Sequence, residues 1–123
     1  MIKIENRSNV PIFEQIFLEV QKLIALKVLR PKDQLPTVRQ LARELGVNPN
    51  TVSKAYHLCE SNQLIESIPG KGFYVLEGST AIDFAKSKLY HTIRDAIKHL
   101  NDLGDSTENI IKNMEEYEND TTH

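Results

Sequence analysis

The sequence is expected to fold as a mainly α-helical protein with one small β-hairpin: an N-terminal winged helix-turn-helix over residues 1–77 and a two-helix module over residues 78–123. Three observations lead there. Apolar residues recur every three or four positions in five separate stretches, the spacing of a helix face. Little more than Gly46 and Val47 separates the second stretch from the third, too little chain for anything but a tight turn. After Asn62 the pattern changes to two short runs rich in β-branched and aromatic residues, with Pro69-Gly70-Lys71-Gly72 between them.

Residues 11–27 place Ile12, Ile16, Val20, Leu23 and Ile24 on one helical stripe, and Asn9 with Pro11 offers a start for it. Leu29, Pro31 and Leu35-Pro36 force an irregular connection, because proline lacks an N–H donor and restricts its predecessor. Thr37-Val38-Arg39-Gln40 has the form of a capping box. Val38, Leu41, Ala42 and Leu45 then supply an apolar face, and Gly46 is placed to stop that helix. Asn48 is a second N-cap, and Pro49 takes the favoured first helical position. The third helix turns Val52, Ala55, Tyr56 and Cys59 inward, with Leu58 at the margin. A longer helix before two short ones around a Gly-containing turn is the order of a helix-turn-helix. Leu64–Ile68 and Phe73–Leu76 add the hairpin that makes the wing.

Gly78-Ser79-Thr80 reads as a linker. Beyond it Ile82, Ala85, Leu89, Ile93, Ala96, Ile97, Leu100 and Leu103 form one stripe on a helix of about 22 residues. Gly104 ends that helix, and Asp105-Ser106-Thr107 restarts the chain into a shorter one bearing Ile110, Ile111, Met114 and Tyr117. The polar segment from Glu118 to His123 is expected to fray. Two helices of this size do not bury their apolar faces alone. Ile82, Leu89, Ile93, Ile97, Leu100, Ile110, Ile111 and Met114 are therefore the candidates for contact with a second copy of the chain.

Composition bounds the function. At 123 residues, 40% hydrophobic and 26% charged, the chain has the make-up of a globular protein and no room for a large catalytic domain beside a second module. A single cysteine, Cys59, excludes an internal disulfide and a multi-thiolate zinc cage. The N-terminus lacks the apolar block of a signal peptide, and no run approaches the ~18 apolar residues of a membrane span. A cytoplasmic location without membrane contact is expected. The net charge of −2 conceals an asymmetry: residues 1–78 sum to +2 and residues 79–123 to −4. Such a division can hide a nucleic-acid surface within a neutral total.

No Gly-rich phosphate loop of the Walker or dinucleotide type is present. Cys59 has His57 only two residues away on a helix, pointing elsewhere, so it reads as a core residue rather than a nucleophile. His91, Asp95 and His99 share a helix face at metal-ligand spacing, but that face lies opposite the apolar stripe, where polar residues belong anyway. No catalytic, cofactor or metal site is expected. Donors suited to a duplex are better placed. Asn48, Asn50, Thr51 and Ser53 open the third helix, with Lys54 one turn in, and the first turn of a recognition helix faces base edges. Arg39 and Arg43, one turn apart, suit flanking phosphates. Lys71 lies at the hairpin tip beside Gly70, in position for a minor groove or a backbone.

From Pro11 to Val75 the sequence resembles the GntR family of bacterial transcription regulators. The resemblance runs through Gln15-Ile16, Leu29-x-Pro31, Leu35-Pro36-Thr37-x-Arg39-x-Leu41-Ala42, Leu45-Gly46-Val47, Asn50-Thr51-Val52, Ala55-Tyr56 and Gly70-x-Gly72-x-x-Val75. The short helical C-terminal part looks like the YtrA-type subfamily. This resemblance implies a homodimer on an inverted-repeat operator, usually repressing its own operon, often one with transporter genes. It also implies DNA contacts at Arg39, Asn48, Asn50, Thr51, Ser53, Gly70 and Lys71. Pro49 departs from the arginine that many relatives use to read guanine. Lys27, Lys32 and Gln63 stand where glycines are common.

Two rival readings remain at this level: a winged helix used for protein interaction, and a ligand or metal sensor with a pocket among the C-terminal helices. Salt-dependent DNA affinity separates the first from a regulator. No convergent polar cluster in the sequence supports the second, and a small-molecule effector is left open.

Overall fold

Helix α1, Ile12–Ala25, follows Pro11, whose side chain offers no cap. The computed structural model describes residues 1–77 and 80–121, without the side chains of the last three. The start of α1 is secured instead by Gln15. Its Nε2 donates to the carbonyls of Glu5 and Val10 at 3.0 and 2.8 Å, and its Oε1 accepts from the Glu5 N–H at 2.6 Å. This clamps the N-terminal segment, whose Ile2 and Ile4 pack against the core. The helix ends where Lys27 turns left-handed at φ 61° and the Val28 N–H reaches back to the Leu23 carbonyl at 2.9 Å.

The short helix α2, Val38–Leu45, has the expected capping box: Thr37 Oγ1 accepts from the Gln40 N–H at 3.1 Å, and Gln40 Oε1 accepts from the Thr37 N–H at 2.9 Å. Gly46 closes it at φ 66°, a conformation glycine adopts without steric cost. Helix α3, Pro49–Ser61, begins at Asn48, whose Oδ1 accepts from the Asn50 N–H at 2.8 Å. It ends in the same way as α1, with Gln63 at φ 60° and the Leu64 N–H donating to the Cys59 carbonyl at 3.0 Å.

Strands β1, Ile65–Ile68, and β2, Gly72–Val75, pair antiparallel with Ile65 opposite Val75 and Ile68 opposite Gly72. The connection before α2, expected to be irregular, joins this wing. Lys32 N–H donates to the Val75 carbonyl, Val75 N–H to Asp33 and Leu35 N–H to Phe73, with Gln34 bridged to Tyr74. Sequence patterning alone does not show this third edge, because Pro31 and Pro36 flank it and its partners lie some forty residues on.

Helix α3 is central to the core. Its Val52, Ala55, Tyr56 and Cys59 are buried against Ile16, Val20 and Leu23 of α1, Leu41 and Ala42 of α2, and Ile65 and Val75 of the wing. Each of the larger side chains contributes about 1.5–3 kcal/mol by leaving water. Tyr56 keeps its hydroxyl satisfied at depth by donating to the Pro36 carbonyl at 2.7 Å, and its ring meets Phe73 edge to face at 5.0 Å. The residue thus ties α3 to both the connection and the wing.

The chain divides into two compact units, Met1–Asp83 and Phe84–His123. The division falls inside helix α4, Thr80–Asp102, whose first turn packs Ala81 and Ile82 against the N-terminal core. Thr80, expected in a linker, opens this helix; Gly78 and Ser79 lie outside the described residues. In the second unit α4 turns through Gly104, at φ 104°, into helix α5, Thr107–Thr121. Ser106 Oγ accepts from the Asn109 N–H at 3.1 Å, and Asn101 Nδ2 donates to the Asp105 carbonyl at 2.8 Å. The backbone of α5 is helical to Thr121, across the first part of the polar segment that starts at Glu118. Residues 122 and 123 lie outside the described residues.

Candidate nucleic-acid interface

Between Gln34 and Cys59 the sequence carries one acidic residue, Glu44, against Arg39, Arg43 and Lys54. The local excess of positive charge sits on the helix-turn-helix, although the whole chain is acidic. Arg39 and Arg43 are exposed on α2 and, with Ala42, Val47 and Pro49, line a shallow depression beside the start of α3. The turn therefore brings both guanidinium-bearing residues next to the helix N-terminus, where the α3 dipole adds partial positive charge.

Along α3 the candidate donors differ in what they have to offer. Asn50 is exposed, and among the described residues no hydrogen bond engages its carboxamide. Both its oxygen and its amide remain available, as bidentate pairing with adenine requires. The Asn48 oxygen already accepts the cap hydrogen bond, and among the described residues its Nδ2 makes none, so the amide is the freer group for an outside acceptor. Thr51 and Ser53 are half-buried. The Lys54 ammonium lies 4.0 Å from the centroid of the Phe13 ring, a cation–π arrangement that anchors its charge to α1.

At the wing, Gly70 and Gly72 take φ 77° and 116° on either side of an exposed Lys71. The tip is tied by a residue the sequence did not single out. Gln34 Nε2 donates to the Lys71 carbonyl at 3.1 Å across 37 residues, a separation that leaves no local signal.

Other candidates in the sequence are placed away from any chemistry. Cys59 is fully buried, and burial pushes its thiol up to about 12, so it carries no thiolate at neutral pH. His57 is exposed, whereas Cys59 is not. Among the described residues no three His, Cys, Asp or Glu side chains converge on a metal-sized site, and His91, Asp95 and His99 are each exposed. No helix among them is long and apolar enough to cross a membrane.

The C-terminal stripe is distributed unevenly. Leu89 and Met114 are each 63% exposed, and Ile93, Leu100 and Ile111 are also exposed. Ile97 is half-buried and Ile110 buried within the α4–α5 hairpin. Ile82 belongs to the first unit, against the winged-helix core. An apolar groove runs between α4 and α5, lined by Ile93, Ile97, Leu100, Ile110 and Met114.

The family model of bacterial regulatory proteins of the gntR family matches residues 12–75. The chain is 44% identical over 79 residues to the HTH-type transcriptional repressor YtrA of Bacillus subtilis, covering 64% of this chain and 61% of that protein. It thus spans about three fifths of that repressor's length. It is 30% identical over 112 residues to the uncharacterized HTH-type transcriptional regulator YhcF of the same organism, covering 90% of this chain and 93% of that one. A solved transcriptional regulator from Oenococcus oeni superposes with a TM-score of 0.72 at 29% identity, over 95% of this chain and 98% of that one. The winged helix is accordingly a DNA-binding one, and the chain is a transcriptional regulator rather than an enzyme. It belongs to the GntR family of bacterial regulatory proteins.

Proposed function

We propose that the protein is a homodimeric repressor that holds an inverted-repeat operator in front of its own operon, in the cytoplasm. The observation that carries this reading is the exposed Asn50 in the first turn of α3 beside Arg39 and Arg43, in a chain whose C-terminal unit exposes an apolar stripe. The two surfaces suit different partners. The winged helix carries the DNA contacts and the C-terminal helices the dimer contact. The family resemblance extends the reading to an operon with transporter genes.

Each protomer lays α3 in a major groove. Asn50 reads a base, Asn48 donates through Nδ2, and Thr51 and Ser53 offer hydroxyls to bases or phosphates. Arg39 and Arg43 set the register on flanking phosphates, and Lys71 beside Gly70 meets the adjacent groove. Lys54, held over Phe13, adds positive potential rather than a base contact. Two half-sites then lie about 34–36 Å apart, one helical turn. Repression is steric, since a dimer seated on the promoter excludes other proteins from it.

Fluorescence anisotropy against the region upstream of its own gene and a scrambled duplex, at about 50 to 200 mM salt, tests the reading. Selective binding that weakens steeply with salt is expected. Asn50→Ala should cost about 1–3 kcal/mol on the operator and little on the scrambled duplex. Equal losses on both would remove Asn50 as a base reader. No binding to either duplex at low salt would overturn the operator assignment and favour a protein partner.

A further inference from the structure

Gln34 stands outside the helices and the hairpin, yet its side chain reaches the tip of the wing. Its Nε2 donates to the Lys71 carbonyl at 3.1 Å, and the Tyr74 hydroxyl donates to the same oxygen at 3.4 Å. The Lys71 N–H is taken by the Ile68 carbonyl at 2.9 Å. Both backbone polar groups of Lys71 are therefore engaged inside the protein, and only its ammonium-bearing side chain faces an outside partner. Gln34 is itself carried on a fixed backbone. It bridges to Tyr74, and its neighbours Asp33 and Leu35 bond to Val75 and Phe73 at 2.8 and 2.9 Å. Gly72 makes room for the amide: a Cβ there would come 3.3 Å from Gln34 Nε2, a tight approach, at a φ of 116° that side chains rarely adopt.

We infer that Gln34 is a positioning residue for DNA binding, whose carboxamide presets the wing-tip backbone so that the Lys71 ammonium meets the duplex from an already ordered turn. This rests on the reading that Lys71 contacts DNA. A turn with glycines on both sides of its cation loses much conformational freedom when it orders. Ordering it before the encounter removes that cost from association. Gln34 achieves this by bonding to the protein, with no contact to DNA of its own.

Gln34→Met in the full chain keeps the length of the side chain and the backbone bridge while removing the donor. In the free protein, the backbone 15N heteronuclear NOE at Lys71 and Gly72 should fall. Operator affinity should fall about three- to tenfold, the loss of one hydrogen bond's worth of order. In a Lys71→Ala background the same substitution should cost nothing further. Unchanged NOEs or unchanged affinity would overturn the inference. So would an equal loss in both backgrounds, which would mean that Gln34 acts on DNA independently of Lys71. If Lys71→Ala leaves affinity and salt slope at the wild-type values, the wing contact itself fails and the positioning role with it. That failure is recognisable because the NOE change in the free Gln34→Met protein would persist.

Discussion

Lys27, Lys32 and Gln63 hold φ values of 61°, 72° and 60°, in the left-handed region where a Cβ crowds the backbone. They are the three positions at which the family resemblance implies glycine, and left-handed backbone is the geometry that glycine adopts without steric cost. Left-handed backbone costs a residue with a side chain about 1–2 kcal/mol, whereas glycine gives back about 0.5–1 kcal/mol in chain entropy. Lys27→Gly and Gln63→Gly should therefore each raise stability by about 0.5–1 kcal/mol. Lys32→Gly should gain least, because it also gives up an exposed ion pair with Glu77 at 3.8 Å, a weak contribution. Urea denaturation checks this: the midpoint should rise with the slope unchanged. A lower midpoint for Gln63→Gly would mean that the residue contributes more through its side chain than it costs through its backbone.

Helix α2 has only eight residues, too few to persist without tertiary support and good ends. Its reciprocal Thr37–Gln40 cap should matter accordingly. Thr37→Ala should cost about 1 kcal/mol, and amide exchange should speed up first in the opening turn of α2, where Arg39 lies. Uniform acceleration across the winged helix would show instead that α2 opens only with the whole unit. Elements that announce themselves through adjacent residues were legible in the sequence: the Thr37 box, the Gly46 stop and the Asn48-Pro49 start all stand in the structure as read. Elements defined by distant partners were not. The Lys32–Leu35 edge and the Gln34 amide acquire their roles only when β2 arrives beside them. The Asn48 cap adds a subtler case, since one carboxamide served both as a cap and as a candidate base reader. The cap read from the sequence already engages its oxygen, and the geometry adds the partner, the Asn50 N–H at 2.8 Å.

The distribution of apolar surface over the whole chain decides what the C-terminal unit can do. In the N-terminal unit the stripes of α1 and α3 meet one another: Ile16, Val20 and Leu23 of α1 and Val52, Ala55, Tyr56 and Cys59 of α3 are buried, and Ile12 and Ile24 are partly so. Helices α4 and α5, whose sequence stripes are as regular, bury Ile110 but leave Leu89, Ile93, Ile111 and Met114 mostly exposed. Several large apolar side chains exposed on one pair of helices, with Ile93, Ile111 and Met114 lining the same groove, are uncommon on a monomer. Covering them with a second copy would also double the phosphate contacts available to one operator. Replacing Ile93 and Met114 by Glu should therefore yield a monomer in sedimentation velocity with the winged helix intact by circular dichroism. The slope of log affinity against log salt follows the number of phosphates neutralised, so the monomer should show about half the wild-type slope as well as weaker operator binding. A variant that is monomeric yet keeps the full slope would mean that one protomer makes all the DNA contacts. A variant that remains dimeric would move the dimer interface away from α4 and α5, and the exposed stripe would then belong to a different partner.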